Sequence, residues 1–271
     1  MRLPVVDRNR EIGAFITSLE SPPLEAPSIL LVHDASGQGK TRLLECYGEH
    51  CRQSGIPFTR VDFKSRSLSP LDILWSIQTD LRPFLPLPRC VETLHNPHMT
   101  SPSFQVRDNK ALGQTSYTMH ATFNVAGLSL DEQKRWWAAG AQAFLEDLLE
   151  PECVSPLSRL VLLFDTFEGA EPETQAWIAD HVLRMATPNR VPCLIIVVAG
   201  RQVPEPTGEW AQCCEMIPLQ PLQLEDWLEY ARGVKSSVLP EQMRACYAKH
   251  GTRPLKMAEI IDALIIDAFT G

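Results

Sequence analysis

The chain has 271 residues, 44% of them hydrophobic, enough for one large domain or two small ones with a packed core. A net charge of −8 argues against a generic nucleic-acid binder and against attraction to an anionic membrane surface, while leaving room for a protein partner. The opening residues carry no signal-peptide core and no apolar run approaches the ~18 residues that span a bilayer, so no membrane association and a cytoplasmic location are expected.

In chain order, residues 7–20 read as a short helix with Asp7 as N-cap and Ile12, Phe15, Ile16 and Leu19 as its apolar stripe. After a proline-containing linker, residues 28–42 read SILLVHDASGQGKTR. The apolar run 29–32 predicts a buried strand, the glycines a tight loop, and Leu43, Leu44, Tyr47 and Cys51 one face of a following helix. Strand, glycine-bearing loop and helix opening on Gly39-Lys40-Thr41 form a phosphate-binding arrangement. Backbone N–H groups of Ser36, Gly37, Gln38, Gly39 and Lys40, with Thr41 and Arg42 at the helix start, would wrap phosphates. Lys40 would reach the β/γ-phosphates and Thr41 would bind Mg²⁺. The pattern G-x-x-x-x-G-K-[ST] is broken once, by Asp34 at its first glycine. A carboxylate there is expected to weaken triphosphate binding without abolishing it.

A second strand is expected at 57–63 and a helix from Pro70, with Leu71, Leu74, Ile77 and Leu81 in register behind Ser69. Residues 83–128 change character. Five prolines are expected to exclude helix up to Pro102, and alternating segments at 103–107 and 116–125 predict a β-hairpin insertion, a candidate oligomer or partner contact. A long helix follows to Leu149, with Trp137, Ala141, Phe144, Leu145 and Leu148 as its stripe. Strands are then expected at 160–164, 191–199 and 215–219, with a helix at 172–185 between the first two. Strands alternating with helices predict an α/β fold, a mainly parallel sheet flanked by helices. Beyond Leu222 only helices are read, at 224–234, 240–250 and 254–269, the last with Met257, Ile260, Ile261, Leu264, Ile265 and Ala268 on one face. The expected organisation is a nucleotide-binding domain at 1–219 and a small helical lid at 220–271.

The eight cysteines form no C-x-x-C pair and are expected to be free and mostly buried, and the histidines show no metal-ligand spacing. Asp165 ends its apolar strand and would sit at the same sheet edge as the glycine-bearing loop, holding Mg²⁺ together with Thr41. Glu168, three residues on, would position the attacking water. Arg201, after the fourth strand, would meet the γ-phosphate. His250-Gly251-Thr252-Arg253-Pro254-Leu255 suits either contact with a base or sugar or a plain helix C-cap followed by a first-turn proline.

Taken in order, DRNRE, DASGQGKTRLL, LLFDTFE, VVAGR, LQPLQLEDWLEY and HGTRPL resemble the nucleotide-binding module of STAND ATPases, the signal-transduction relatives of AAA+ proteins that include NB-ARC and NACHT types. The resemblance covers nearly the whole chain apart from 83–128. It implies a P-loop NTPase followed by a helical lid, binding ATP or ADP with Mg²⁺. It also implies that Lys40 and Thr41 contact phosphate and metal, that Asp165 is the Walker B acid, that Arg201 is the sensor arginine and that Pro254 lies against the nucleotide. Thr166 stands where many ATPases place the catalytic glutamate. Such proteins are usually switches, closed with ADP and oligomeric with ATP. The family usually continues into a winged helix and a repeat sensor. With the sequence ending at Gly271, protein partners are expected to supply sensing and output in a homo- or hetero-oligomer, or the sequence is a fragment. The expected function is a slow, Mg²⁺-dependent ATPase switch in a signalling or defence assembly. The alternatives are a non-catalytic nucleotide-binding adaptor or scaffold, and an AAA+-like loader acting on DNA, against which the acidic balance counts.

Overall fold

The computed structural model describes residues 8–23, 25–64, 67–95, 103–107, 118–122, 128–150, 159–187, 190–233, 240–251, 254 and 256–261. Its elements run α1 (Asn9–Glu20), β1 (Ile29–His33), α2 (Lys40–Gln53), β2 (Phe58–Asp62), α3 (Pro70–Leu81), α4 (Pro88–Leu94), β3 (Ser103–Arg107), β4 (Thr118–Thr122), α5 (Leu130–Leu149) and β5 (Leu160–Asp165). A helical segment α6 follows, made of Pro172–Trp177, a π-type stretch Ile178–Val182 and Leu183–Met185. Then come β6 (Leu194–Gly200), β7 (Cys214–Pro218), α7 (Leu224–Gly233) and α8 (Pro240–His250). Residues 256–261 are again helical.

Five strands form one sheet in the order β2-β5-β6-β1-β7, every pairing parallel. The three inner strands β5, β6 and β1 are near-continuous apolar runs because both faces are covered. Ile29, Leu31, Leu160, Leu162, Phe164, Leu194, Ile196 and Val198 face a core with α3, α4, α5 and α6. The alternate residues Leu30, Val32, Val161, Leu163, Ile195, Val197 and Ala199 face a second core with α1 and α2. A third group joins Leu222, Trp227, Tyr230, Met243, Met257 and Ile261, with Trp227 and Tyr230 edge to face.

Most expected elements form. The apolar faces of α2, α3 and α5 are buried as their spacing requires. The hairpin forms with Phe104 opposite Ala121 and Val106 opposite Met119. Residues 123–125 of its expected second strand lie outside the described residues.

Three expectations change. In α1 the buried stripe is Glu11, Phe15, Ser18 and Leu19, while Ile12 and Ile16 are half-buried. Tyr47 turns it, because its hydroxyl donates to the Glu11 carbonyl at 2.8 Å and its ring stacks on Phe15 at 4.1 Å. Asp7, the expected cap, lies outside the described residues. The prolines of 83–102 do not exclude helix: α4 starts at Pro88, where a first-turn proline loses no helix bond. Its next two N–H groups, of Arg89 and Cys90, donate to the fully buried Asp147 carboxylate of α5 at 3.2 and 2.8 Å. Among the described cysteines all are free, but only Cys51, Cys90 and Cys193 are buried and four are half-buried. Residues Leu264, Ile265 and Ala268 of the expected last stripe lie outside the described residues. Among the described residues no helix is long and apolar enough to cross a membrane.

Asp147 thus caps a helix that no local residue caps. Asp147→Ala would leave the buried Cys90 N–H and the partly buried Arg89 N–H without this acceptor, at a cost of about 1–3 kcal/mol. Urea unfolding is expected to show that loss, whereas Glu146→Ala on the exposed side of α5 is expected to stay within about 0.5 kcal/mol of wild type.

Candidate functional site

The parallel register sets His33 of β1 beside Gly200 of β6, and Asp62 of β2 beside Asp165 of β5. The carboxyl ends of β1, β5 and β6 therefore open to one edge of the sheet, where ligands of open α/β folds bind. The loop 34–39 leaves β1 at that edge. Gly37 and Gly39 hold φ of 81° and 90°, a left-handed backbone that favours glycine. Gly39 is the N-cap of α2, so the loop wraps directly onto a helix N-terminus.

Lys40 Nζ donates to the carbonyl oxygens of Asp34 and Ala35, at 2.6 and 2.7 Å, and so lies across its own loop. Burial lowers its pKa, opposed by the carboxylates of Glu168, Asp34 and Asp165. The Asp34 carboxylate accepts from the Ala35 N–H. Thr41 Oγ1 donates to Asp165 Oδ1 at 3.3 Å, joining α2 to the end of β5. Asp165 is 2% exposed, and its Oδ2 accepts from Arg60 Nη2 at 2.6 Å.

Thr166 follows in a left-handed conformation, φ 57°, unusual for a β-branched residue. It starts a short 3-10 turn, Phe167–Gly169, that carries Glu168 toward the end of β6. There Glu168 Oε2 accepts from the Arg201 N–H at 2.8 Å and Oε1 from Arg201 Nε at 2.7 Å. Gly200 permits this approach: a Cβ on it would stand 2.6 Å from Glu168 Oε2. Burial alone would raise the Glu168 pKa, but the hydrogen bonds from Arg201 prevail and lower it.

The sequence-predicted residues Lys40, Thr41, Asp165, Glu168 and Arg201 therefore converge on one edge, with Ser36, Gly37, Gln38 and Gly39 in the loop. Arg42 lies on α2 in an ion pair with Glu45 at 2.8 Å. Pro254 is buried, and its neighbours Thr252, Arg253 and Leu255 lie outside the described residues.

Two parts of the site are absent from the sequence reading. Arg8, 3% exposed, donates to the carbonyls of Gln38 and Gln220 at 2.9 and 2.7 Å and pairs with Glu11 at 3.2 Å. Both stand in the DRNRE stretch of the resemblance, which gave them no role, and Glu11 lies four residues before Phe15 on the buried face of α1. Arg60 reaches Asp165 from the neighbouring strand, and no spacing rule pairs residues 105 positions apart.

The donor set suits Mg²⁺: a hydroxyl and a carboxylate, both hard oxygens, beside a loop shaped for phosphates that would complete the shell. Among the described residues, Arg60 is a cation that competes for the carboxylate. Among the described residues no cluster of three or more His, Cys, Asp or Glu could hold a metal by itself. His95, singled out by its spacing to His98, instead packs edge-on against Trp75 at 5.4 Å.

No protein-family model matches the chain, and no curated protein matches it in sequence. Solved structures do. A STAND protein with a tetratricopeptide repeat sensor from Pyrococcus horikoshii matches with a TM-score of 0.51 at 13% identity, over 96% of this chain and 30% of that one. Cdc6p from Pyrobaculum aerophilum matches with a TM-score of 0.55 at 14% identity, over 94% of this chain and 60% of that one. The chain therefore spans less than two thirds of either neighbour. It shares their α/β fold, the parallel sheet flanked by helices of P-loop NTPases.

Because Arg201 holds the folded Glu168 carboxylate below its unfolded pKa, their pairing stabilises the fold at neutral pH. That contribution is lost as pH falls through the folded pKa. The melting-temperature gap between wild type and Glu168→Gln is expected to be widest at neutral pH and to narrow below about pH 4.3, the ordinary glutamate pKa. A gap that stays constant down to acid pH would show that the pair does not stabilise through charge.

Proposed function

We propose that this chain is an ATP-binding, Mg²⁺-dependent ATPase module of the STAND type. In this reading it is a slow switch in a signalling or defence assembly, with residues 220–271 as a lid on the 1–219 nucleotide domain. The observation that carries the reading is the convergence of Lys40, Thr41, Asp165, Glu168 and Arg201 on one sheet edge beside the glycine loop. The roles follow from chemistry. Lys40 leaves its loop carbonyls for the β/γ-phosphates, a contact between opposite charges that replaces two to neutral carbonyl oxygens. Thr41 and Asp165 hold Mg²⁺, which when bound neutralises phosphate charge. Glu168 orients water, and Arg201 answers to the γ-phosphate.

The Glu168–Arg201 pair gives the switch its logic. While Arg201 engages both carboxylate oxygens, Glu168 has only part of its acceptor capacity left for water. A γ-phosphate that draws the guanidinium away frees Oε1 at the same moment, while the Arg201 N–H keeps Oε2 in place. Pro254 against the nucleotide and protein partners in a nucleotide-dependent oligomer complete the proposal. The scaffold reading has support of its own. Asp34 replaces a loop glycine, and both oxygens of Asp165 are already engaged by protein groups.

Lys40→Ala is expected to weaken ATP binding at least about tenfold, since a hydrogen bond to a charged group is worth ~1.5–3 kcal/mol. Calorimetric titration giving equal affinities would remove the phosphate-loop reading. If the chain is an enzyme, Glu168→Gln is expected to abolish phosphate release while leaving ATP bound. Bound nucleotide with no wild-type turnover would select the scaffold.

A further inference from the structure

Asp165 is a carboxylate at the end of a buried strand, and such a group must be compensated. Each of its oxygens has a partner, Thr41 on Oδ1 and Arg60 on Oδ2. Arg60 comes from β2, where it lies opposite Leu163 and two residues short of the strand end, and its side chain reaches along β5 to the carboxylate. The guanidinium is held loosely elsewhere. Its Nη1 stands 3.7 Å from Glu45 Oε1 on α2, and its buried Nε has no hydrogen-bond partner. Glu45 is half-exposed and already paired with Arg42. One strong tie and one weak one describe a cation with a second place to go.

We propose that Arg60 is a resident counter-cation of Asp165 that competes with magnesium for the carboxylate, moving toward Glu45 when the metal enters. The inference rests on the nucleotide-site reading above and adds a residue that sets its metal dependence. Its physical basis is like-charge exclusion: a divalent ion cannot share Oδ2 with a guanidinium already 2.6 Å from it. The same guanidinium screens Asp165 from the phosphates when metal is scarce. Arg60 therefore lowers the site's affinity for magnesium and supports nucleotide binding without it.

The test is ADP binding by calorimetry, in EDTA and across a MgCl₂ titration, for wild type, Arg60→Gln and Arg60→Lys. In EDTA, Arg60→Gln is expected to bind ADP more weakly than wild type, because Asp165 is left unscreened. The Mg²⁺ concentration giving half the gain in affinity is expected to fall at least about fivefold, and at saturating Mg²⁺ the variant should equal or exceed wild type. Arg60→Lys, which keeps the charge on a shorter reach, should fall between the two and serves if the glutamine variant does not fold. A structural role alone would weaken binding equally in both conditions. That result, or an unchanged Mg²⁺ midpoint, overturns the role of Arg60 and leaves the nucleotide site standing. No ADP binding by wild type in either condition overturns both.

Discussion

A parallel strand cannot turn back beside its neighbour, so each connection must cross a face of the sheet and return to the same starting edge. In this chain all four pairings of the five-stranded sheet are parallel, and everything else follows from that. The crossings bury both faces, which is why β1, β5 and β6 are unbroken apolar runs. Their odd and even residues divide cleanly between two cores. The strands also end together. Residues that follow Val32, Phe164 and Ala199 emerge at one edge although they lie far apart in sequence, and those residues carry the charges.

That edge is electrostatically self-contained. Lys40, Arg60 and Arg201 stand among Asp34, Asp165 and Glu168, and each cation has a partner within the protein: loop carbonyls for Lys40, Asp165 for Arg60 and Glu168 for Arg201. In such a site each of these three cations must exchange an acceptor it already holds for phosphate. Under the proposed function, a nucleotide succeeds only by offering each cation a better acceptor than the one it holds. The binding free energy is then a difference between two sets of ion pairs. Such a difference changes greatly when the ligand gains or loses a single phosphate, and a switch needs that property.

How much of this could be read from the letters depends on range. The phosphate loop, the Asp165 strand and the caps at Ser69 and Ser129 are local patterns, and each is formed as its spacing requires. α4 escaped because its cap is Asp147, distant in sequence and close in space, so five prolines outweighed a helix whose stabilising acceptor lies on α5. The rotation of α1 escaped for a related reason. Periodicity favours Ile12 over Glu11, but a glutamate can be buried where Arg8 and the Gln220 N–H satisfy it. Arg60 reads as an ordinary polar residue in a strand, because its partner is set by sheet order, and sheet order is not written in either strand alone. The convergence of Asp165, Glu168 and Arg201 was legible since each follows an apolar run at its carboxyl end. The hydrogen bonds between Glu168 and Arg201 were not.

The buried Arg8–Glu11 pair shows how the loop and the segment after β7 are joined. Arg8 holds the Gln38 carbonyl from one side. In a planar trans peptide the next N–H, that of Gly39, must point the opposite way. A loop donor is thus aimed by a guanidinium that never enters the loop. The same guanidinium holds the Gln220 carbonyl, while Glu11 accepts the Gln220 N–H at 3.3 Å. Gln220 lies just before Leu222, the first residue of the third core group. A displacement of that group acts on Gln220 and, through the Arg8 guanidinium that holds both carbonyls, on Gln38. The orientation of a phosphate-loop amide and the position of the helices after β7 are therefore two ends of one buried, hydrogen-bonded unit.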